Sequence, residues 1–290
     1  MNHPLALLHL MRPQQWLKNS FVFVGIFFGH AWSDLFLITQ VAAMAVAFSL
    51  LSSAIYIIND LTDRESDRNH PTKQHRPLAA GTVGVGVAIS LAVVLLMLSL
   101  VLGLWVSQAG LLILLGYAFM NLAYSFKLKH VVLLDVFIIA AGFLLRILAG
   151  TVGVGIPPSQ WLVLCSLMLT LFLGFAKRRA EIITLQEGKA EYRRVLAYYS
   201  PILLDKMITV TAACVLMSYG LYTMSPETIR VHQTENLIYT LPFVMYAIFR
   251  YIFLLHHRGK GGEPSRDLMR DPHILISVVG WMALTFWLIR

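Results

Sequence analysis

The chain is a succession of apolar runs, most near 20 residues long, separated by polar stretches. Nine are legible: 20–37, 40–58, 86–106, 109–126, 132–150, 159–176, 207–224, 237–255 and 273–289. About 20 apolar residues is the length a helix needs to cross the hydrocarbon core. Lipid offers no partner to free backbone groups, so such runs are expected to be helices. They are continuously apolar and lack the alternation of a barrel strand. The pattern therefore predicts an all-α polytopic protein of the lipid bilayer, with about nine transmembrane helices forming one domain over residues 1–290.

Composition agrees: 58% of residues are hydrophobic and only 13% are charged. Residues 1–19 show no short apolar core followed by a small-residue cleavage site, so the first span is expected to serve as its own insertion signal. The formal charge is +8, and it is unevenly placed. Of the 23 Lys and Arg, Arg230 and Arg290 fall on one side of the spans and Arg146 falls within one, which leaves 20 on the other side. That asymmetry predicts a cytoplasmic face carrying the N-terminus and the charged loops, with the C-terminus outside, in the inner (cytoplasmic) cell membrane. Nucleic-acid binding is not expected, since no soluble domain remains to perform it. Cys165 and Cys214 lie inside apolar runs and read as small packing residues.

The charge that remains is concentrated. Asn59, Asp63 and Asp67 are spaced i, i+4, i+8 at the end of the second run, with Asp60 beside them. On a continuing helix they share one face, with neighbouring Cβ atoms about 5–6 Å apart. Close carboxylates repel unless a cation joins them, and hard oxygen donors suit Mg²⁺, which usually brings a phosphate ligand. The alternative is a solvated loop whose acids pair with Arg64, Arg68, Lys73 and Arg76. Arg12–Asn19 precedes the first run; its Arg12, Trp16 and Lys18 suit either the membrane interface or, for Lys18, a phosphate. Tyr124, Lys127 and Lys129 close the fourth run, and Asp135 opens the fifth. Arg146 lies about 16 Å further along the same helix face. An arginine at that depth faces a cavity, a partner acid or an anionic head group. Lys177, Arg178 and Glu181 end the sixth run, as a phosphate-binding cluster or an amphipathic surface helix. Glu263, Asp267 and Asp271 repeat the i, i+4, i+8 spacing as a second acidic arm or a salt-bridged turn.

The Asn-Asp-x-x-Asp-x-x-x-Asp pattern at 59–67, at the cytoplasmic end of span 2, resembles the first aspartate-rich motif of the UbiA superfamily of intramembrane prenyltransferases. The resemblance covers nearly the whole chain and implies a UbiA-like helical bundle that holds a Mg²⁺–diphosphate. Prenyl-transferring members carry a second aspartate-rich motif after span 6; here that position reads Lys177-Arg-Arg-Ala-Glu181. Together with RPQQWLKN at 12–19, YSFKLKHVVLLDV at 124–136, GFLLRILAG at 142–150 and GEPSRDLMRD at 262–271, the departure resembles the family's phosphoribosyltransferase branch. That branch implies Mg²⁺-dependent transfer from phosphoribosyl pyrophosphate (PRPP) to a polyprenyl phosphate. Asn59, Asp60, Asp63 and Asp67 would hold the metal, and Asp60, Asp63, Asp67 and Asp135 form the expected catalytic acids. Lys18, Lys73, Arg76, Tyr124, Lys127, Lys129, Arg146, Lys177, Arg178 and Glu181 form the expected substrate contacts. Prenyl transfer to a small acceptor, or a lipid transporter without chemistry, are the other readings.

Overall fold

The computed structural model describes residues 4–29, 31–69, 73–186, 194–257 and 270–290, and among these every regular element is a helix. Helix α1 (Pro4–Met11) ends at Arg12. A proline disfavours the right-handed helical region in the residue before it. Arg12 precedes Pro13 and adopts the left-handed region, with φ 54°. Pro13–Phe23 then forms a 3-10 helix that runs directly into α2 (Val24–Phe28).

Helix α3 (Leu35–Thr62) starts where Asp34 accepts from the backbone N–H groups of Phe36 and Leu37, at 2.9 and 3.1 Å. This cap satisfies donors that a helix start leaves unpaired. It also moves a boundary. The break expected at residues 38–39 is helix interior, and the true break lies before Asp34, inside the expected first span. The short α4 (Arg64–Arg68) follows Asp63. Next come α5 (Val85–Val106), α6 (Gln108–Phe126), α7 (Leu134–Ala149), α8 (Gln160–Gln186), α9 (Pro201–Met224), α10 (Pro226–His232), α11 (Leu241–His257) and α12 (Pro272–Ile289).

Among the described residues eight helical segments are long and apolar enough to span a bilayer: α3, α5, α6, α7, α8, α9, α11 and α12. The chain is a multi-pass membrane protein. The expected first span, 20–37, is not among these eight: its helical residues fall in the 3-10 helix, α2 and the start of α3. Exposed Val93, Val94, Met97 and Val101 give α5 an apolar face suited to lipid.

The chain divides into two compact units, residues 1–127 with 142–158, and residues 128–141 with 159–290. The division passes through α7. In the first unit, Val41, Met44, Phe48 and Leu51 of α3 pack with Leu114 and Tyr117 of α6 and with Val22 and Ile26. Ala54 and Ile57 of α3 pack with Leu10, Leu78, and Ala88, Ala92 and Leu95 of α5. In the second unit, Val136 and Ala140 of α7 join Leu171, Phe172 and Phe175 of α8, Leu204 and Ile208 of α9, and Ile248 and Tyr251 of α11.

Glycine is required where the N-terminal segment meets the end of α7. A Cβ on Gly150 would lie 1.7 Å from the Val22 carbonyl oxygen, and one on Gly25 would lie 2.6 Å from the Gly150 oxygen. The two backbones touch directly, so no side chain fits between them. Gly150→Ala is therefore expected to destabilise the protein by about 2 kcal/mol or more, because neither backbone can yield cheaply. Gly84→Ala, with open space around it, is the control and should leave the melting temperature unchanged. Thermal unfolding of the two purified variants in detergent checks both outcomes.

Candidate active site

The motif at 12–19 is explained residue by residue in the first unit. Trp16 Nε1 donates to Ser53 Oγ at 3.0 Å, and Asn19 Nδ2 donates to Ser49 Oγ at 2.9 Å. The Arg12 guanidinium reaches Asp60 Oδ1 at 2.5 Å and lies 5.2 Å from the Tyr56 ring centre. Ser49, Ser53, Tyr56 and Asp60 lie three or four residues apart, so they form one stripe along α3. The N-terminal segment is stitched along that stripe. Lys18 lies in this segment and is half-buried.

Asp60 and Asp67 are both 3% exposed. They converge on Arg76, whose NH1 lies 3.1 Å from Asp60 Oδ1 and 2.7 Å from Asp67 Oδ2. The loop that carries Arg76 is fixed by Arg64 and Arg68. These donate to the carbonyls of Leu78 and Ala79, each at 3.3 Å. Arg64 and Arg68 therefore act on the backbone, whereas the solvated-loop reading had them paired with the acids. Gly81 ends the loop with φ +73°, a conformation that side chains rarely adopt.

Asn59 Oδ1 accepts from Ser125 Oγ at 2.8 Å, which ties the YSFK segment to the acidic motif. Asp63 is half-exposed, and its carboxylate makes no hydrogen bond or ion pair among the described residues. Helical geometry nevertheless runs through the motif, since Asp63 N–H donates to Asn59 O and Asp67 N–H to Asp63 O. Among the described residues no three or more His, Cys, Asp or Glu are preassembled as a metal cage. Two buried carboxylates already share one cation, and Mg²⁺ is usually held by one or two carboxylates plus substrate phosphates. The donor set fits that ion.

Arg146 is also buried in the first unit. Its Nε donates to Asn19 Oδ1, NH1 to Gly142 O and NH2 to Tyr117 OH, each at 2.8 Å. Its guanidinium lies 4.8 Å from the Tyr117 ring centre, and the Phe48 and Phe143 rings are also near. All three nitrogens are engaged. Arg146 thus ties α7 to α6 and to the N-terminal segment.

The second unit holds a separate buried charge network. Asp135 is 0% and Arg178 1% exposed. Arg178 Nε lies 2.8 Å from Asp135 Oδ2, near enough for ion pairing but off-axis for a hydrogen bond. Its NH1 also pairs with Glu181. Tyr199 OH donates to Asp135 Oδ1 at 2.9 Å and accepts from Leu133 N–H. Burial raises the Tyr199 phenol to about 12, so it stays protonated as a donor at neutral pH. Arg179 pairs with Asp205 and donates to Leu255 O.

The Lys177–Glu181 segment is therefore the interior of α8. The expected surface helix, or open guanidinium cluster, is replaced by two buried arginines committed to acids and a carbonyl. Asp271 caps α12 through the His273 and Ile274 N–H groups and pairs with Arg250 at 3.0 Å. The Arg250 hydrogen bond holds its carboxyl below the usual range. Glu263 and Asp267 lie outside the described residues. Tyr124, Lys73, Lys129 and Lys177 are half-buried and Lys127 is exposed. Arg12, Asn19, Tyr117, Ser125 and Tyr199 were not among the expected site residues. The 12–19 motif carried a signal for Arg12 and Asn19, and the 124–136 motif one for Ser125.

An all-helical membrane fold with carboxylates converging at a helix end defines a class. Residues 19–269 match the UbiA prenyltransferase family, and the chain belongs to that family. Two relatives are each named decaprenyl-phosphate phosphoribosyltransferase. The protein from Mycolicibacterium smegmatis is 34% identical, over 96% of this chain and 90% of its own. That from Corynebacterium glutamicum is 35% identical, over 96% of this chain and 84% of its own. A UbiA homologue from Archaeoglobus fulgidus, solved bound to GPP and Mg²⁺, shares the fold. Its TM-score is 0.72 at 20% identity, over 98% of this chain and 99% of that one.

The buried Arg178–Asp135 network and the half-exposed Asp63 predict very different stability effects. Asp63→Ala removes no side-chain hydrogen bond or ion pair among the described residues and should change stability by no more than about 0.5 kcal/mol. Arg178→Ala leaves Asp135 as an uncompensated buried charge and should cost about 3–5 kcal/mol. Thermal unfolding distinguishes them. Linkage gives a second signature. The Tyr199 pKa is raised by folding, from 10.0 to about 12. Its contribution is thus fully present below pH 10 and lost as pH rises toward 12. Tyr199→Phe should flatten that part of the stability profile.

Proposed function

We propose that the protein transfers a 5-phosphoribosyl group from PRPP to a polyprenyl phosphate, giving polyprenyl-phosphoryl-5-phosphoribose and pyrophosphate. The observation that carries this reading is the likeness, at 34–35% identity over 96% of the chain, to two decaprenyl-phosphate phosphoribosyltransferases. The acidic motif supports it, because both carboxylates converge on a cation. The whole chain, residues 1–290, is read as one catalytic domain. It sits in the cytoplasmic (inner) membrane, with the N-terminus and charged loops in the cytoplasm and the C-terminus outside.

Asn59, Asp60, Asp63 and Asp67 would hold Mg²⁺ on the donor's diphosphate. When bound there the ion supplies Lewis-acid stabilisation to the departing pyrophosphate. Positive charge develops at the ribose C1 as its bond to pyrophosphate breaks. The lipid phosphate is already an anion near neutral pH, so it needs positioning and charge balance more than a general base. Arg76 faces the donor's diphosphate from beside the acids. Lys18, Lys73, Lys127, Lys129 and Lys177, with Tyr124, are the side chains proposed for the lipid phosphate and the 5-phosphate of PRPP. Arg146, Arg178, Asp135 and Glu181 change role in this account. Their buried partners make them positioning residues.

The family name favours a second reading, in which a prenyl diphosphate is the donor. Purified protein with polyprenyl phosphate, Mg²⁺ and ribose-labelled PRPP should yield a labelled lipid. Asp63→Ala should lower turnover at least a thousandfold without loss of folded protein. Transfer from a prenyl diphosphate with none from PRPP would establish the second reading. Lipid binding without transfer from either donor would mark a non-catalytic transporter.

A further inference from the structure

Two guanidinium groups occupy the oxygens that a metal would use. Arg12 and Arg76 both contact Asp60 Oδ1, at 2.5 and 3.1 Å, and the same nitrogen of Arg76 holds Asp67 Oδ2 at 2.7 Å. The acids are buried, but the arginines reach the surface, with side chains 25% and 29% exposed. The arginines are thus the partners able to leave. While paired with Asp60, the Arg12 guanidinium also lies 5.2 Å from the Tyr56 ring centre. Its backbone is left-handed, with φ 54°, at the junction between α1 and the 3-10 helix.

We propose that Arg12 and Arg76 compete with the divalent cation for Asp60 and Asp67, so that metal and donor diphosphate bind together and neither binds well alone. The inference rests on the reading of Asn59–Asp67 as the metal site. A carboxylate oxygen engaged by guanidinium is not free to enter a Mg²⁺ shell. Metal arriving alone must displace both arginines, leaving two unpaired guanidiniums beside a dication. Diphosphate arriving alone meets three carboxylates. When both arrive, the carboxylates pass to the metal and the guanidiniums pass to phosphate oxygens, where they form charge-assisted hydrogen bonds. Each ligand then raises the affinity for the other by the same factor. After transfer, pyrophosphate departs with its metal and the arginines return to Asp60 and Asp67, which resets the site.

The test is Mn²⁺ binding to full-length protein in nanodiscs, followed by electron paramagnetic resonance with and without pyrophosphate. Arg12→Gln and Arg76→Gln are measured separately, so that misfolding of one leaves the other informative. Asp60→Asn locates the signal, which it should abolish. Each arginine variant is expected to bind Mn²⁺ alone about tenfold more tightly than the parent, and to lose most of the gain from pyrophosphate. Unchanged Mn²⁺ affinity in both variants, with pyrophosphate still promoting binding in the parent, would overturn the competition while keeping the metal site. Absence of site-bound Mn²⁺ in the parent, even with pyrophosphate, would overturn the metal reading itself.

Discussion

A carboxylate at the end of a long apolar helix is unfavourable unless cations come to it, and the first unit is organised around that requirement at Asp60. Burial strengthens any interaction with an opposite charge and penalises its absence. Arg12 comes from the N-terminal segment and Arg76 from the loop after α4, and both end on Asp60 Oδ1. The polar stripe on α3, the left-handed turn at Arg12, the Arg64 and Arg68 contacts to Leu78 and Ala79, and the glycine at 81 all serve to deliver those two side chains.

The second unit solves a similar problem with its own residues. Arg178 lies between Asp135 and Glu181, as Arg76 lies between Asp60 and Asp67. The difference is access. Arg76 reaches the surface, whereas Arg178 is enclosed. An enclosed arginine between two acids fixes helices, and an accessible one between two acids can exchange partners. The proposed chemistry therefore falls to the first network and a positioning role to the second. Arg146 belongs with the enclosed kind, although its partners are an amide, a carbonyl and a phenol.

The charge-rich segments were legible as segments and not as pairings. Asn59, Asp63 and Asp67 keep the helical spacing read from the sequence. The KRRAE stretch read as exposed and basic, yet Arg178 and Arg179 are buried within α8. Residue type could not show this, because an arginine is buried only where specific acceptors receive it, and Asp135 and Asp205 come from other elements. Asp271 read as part of an acidic arm, and its structural partners are two N–H groups and Arg250. The misplaced boundary near Asp34 has a local cause. An N-capping carboxylate can end one apolar run and start the next without a long polar gap.

By itself the sequence determined what depends on short-range periodicity and on composition. Run length required membrane helices, and the i, i+4, i+8 spacing put the motif's oxygens on one side of a helix end. The tertiary structure decided which charges meet. Arg12 finds Asp60 across 48 residues and Arg76 finds it across 16. No helical period relates such positions. Only packing of α1, α3 and the loop after α4 sets them within hydrogen-bonding distance, and the cost of burying a lone charge holds them there.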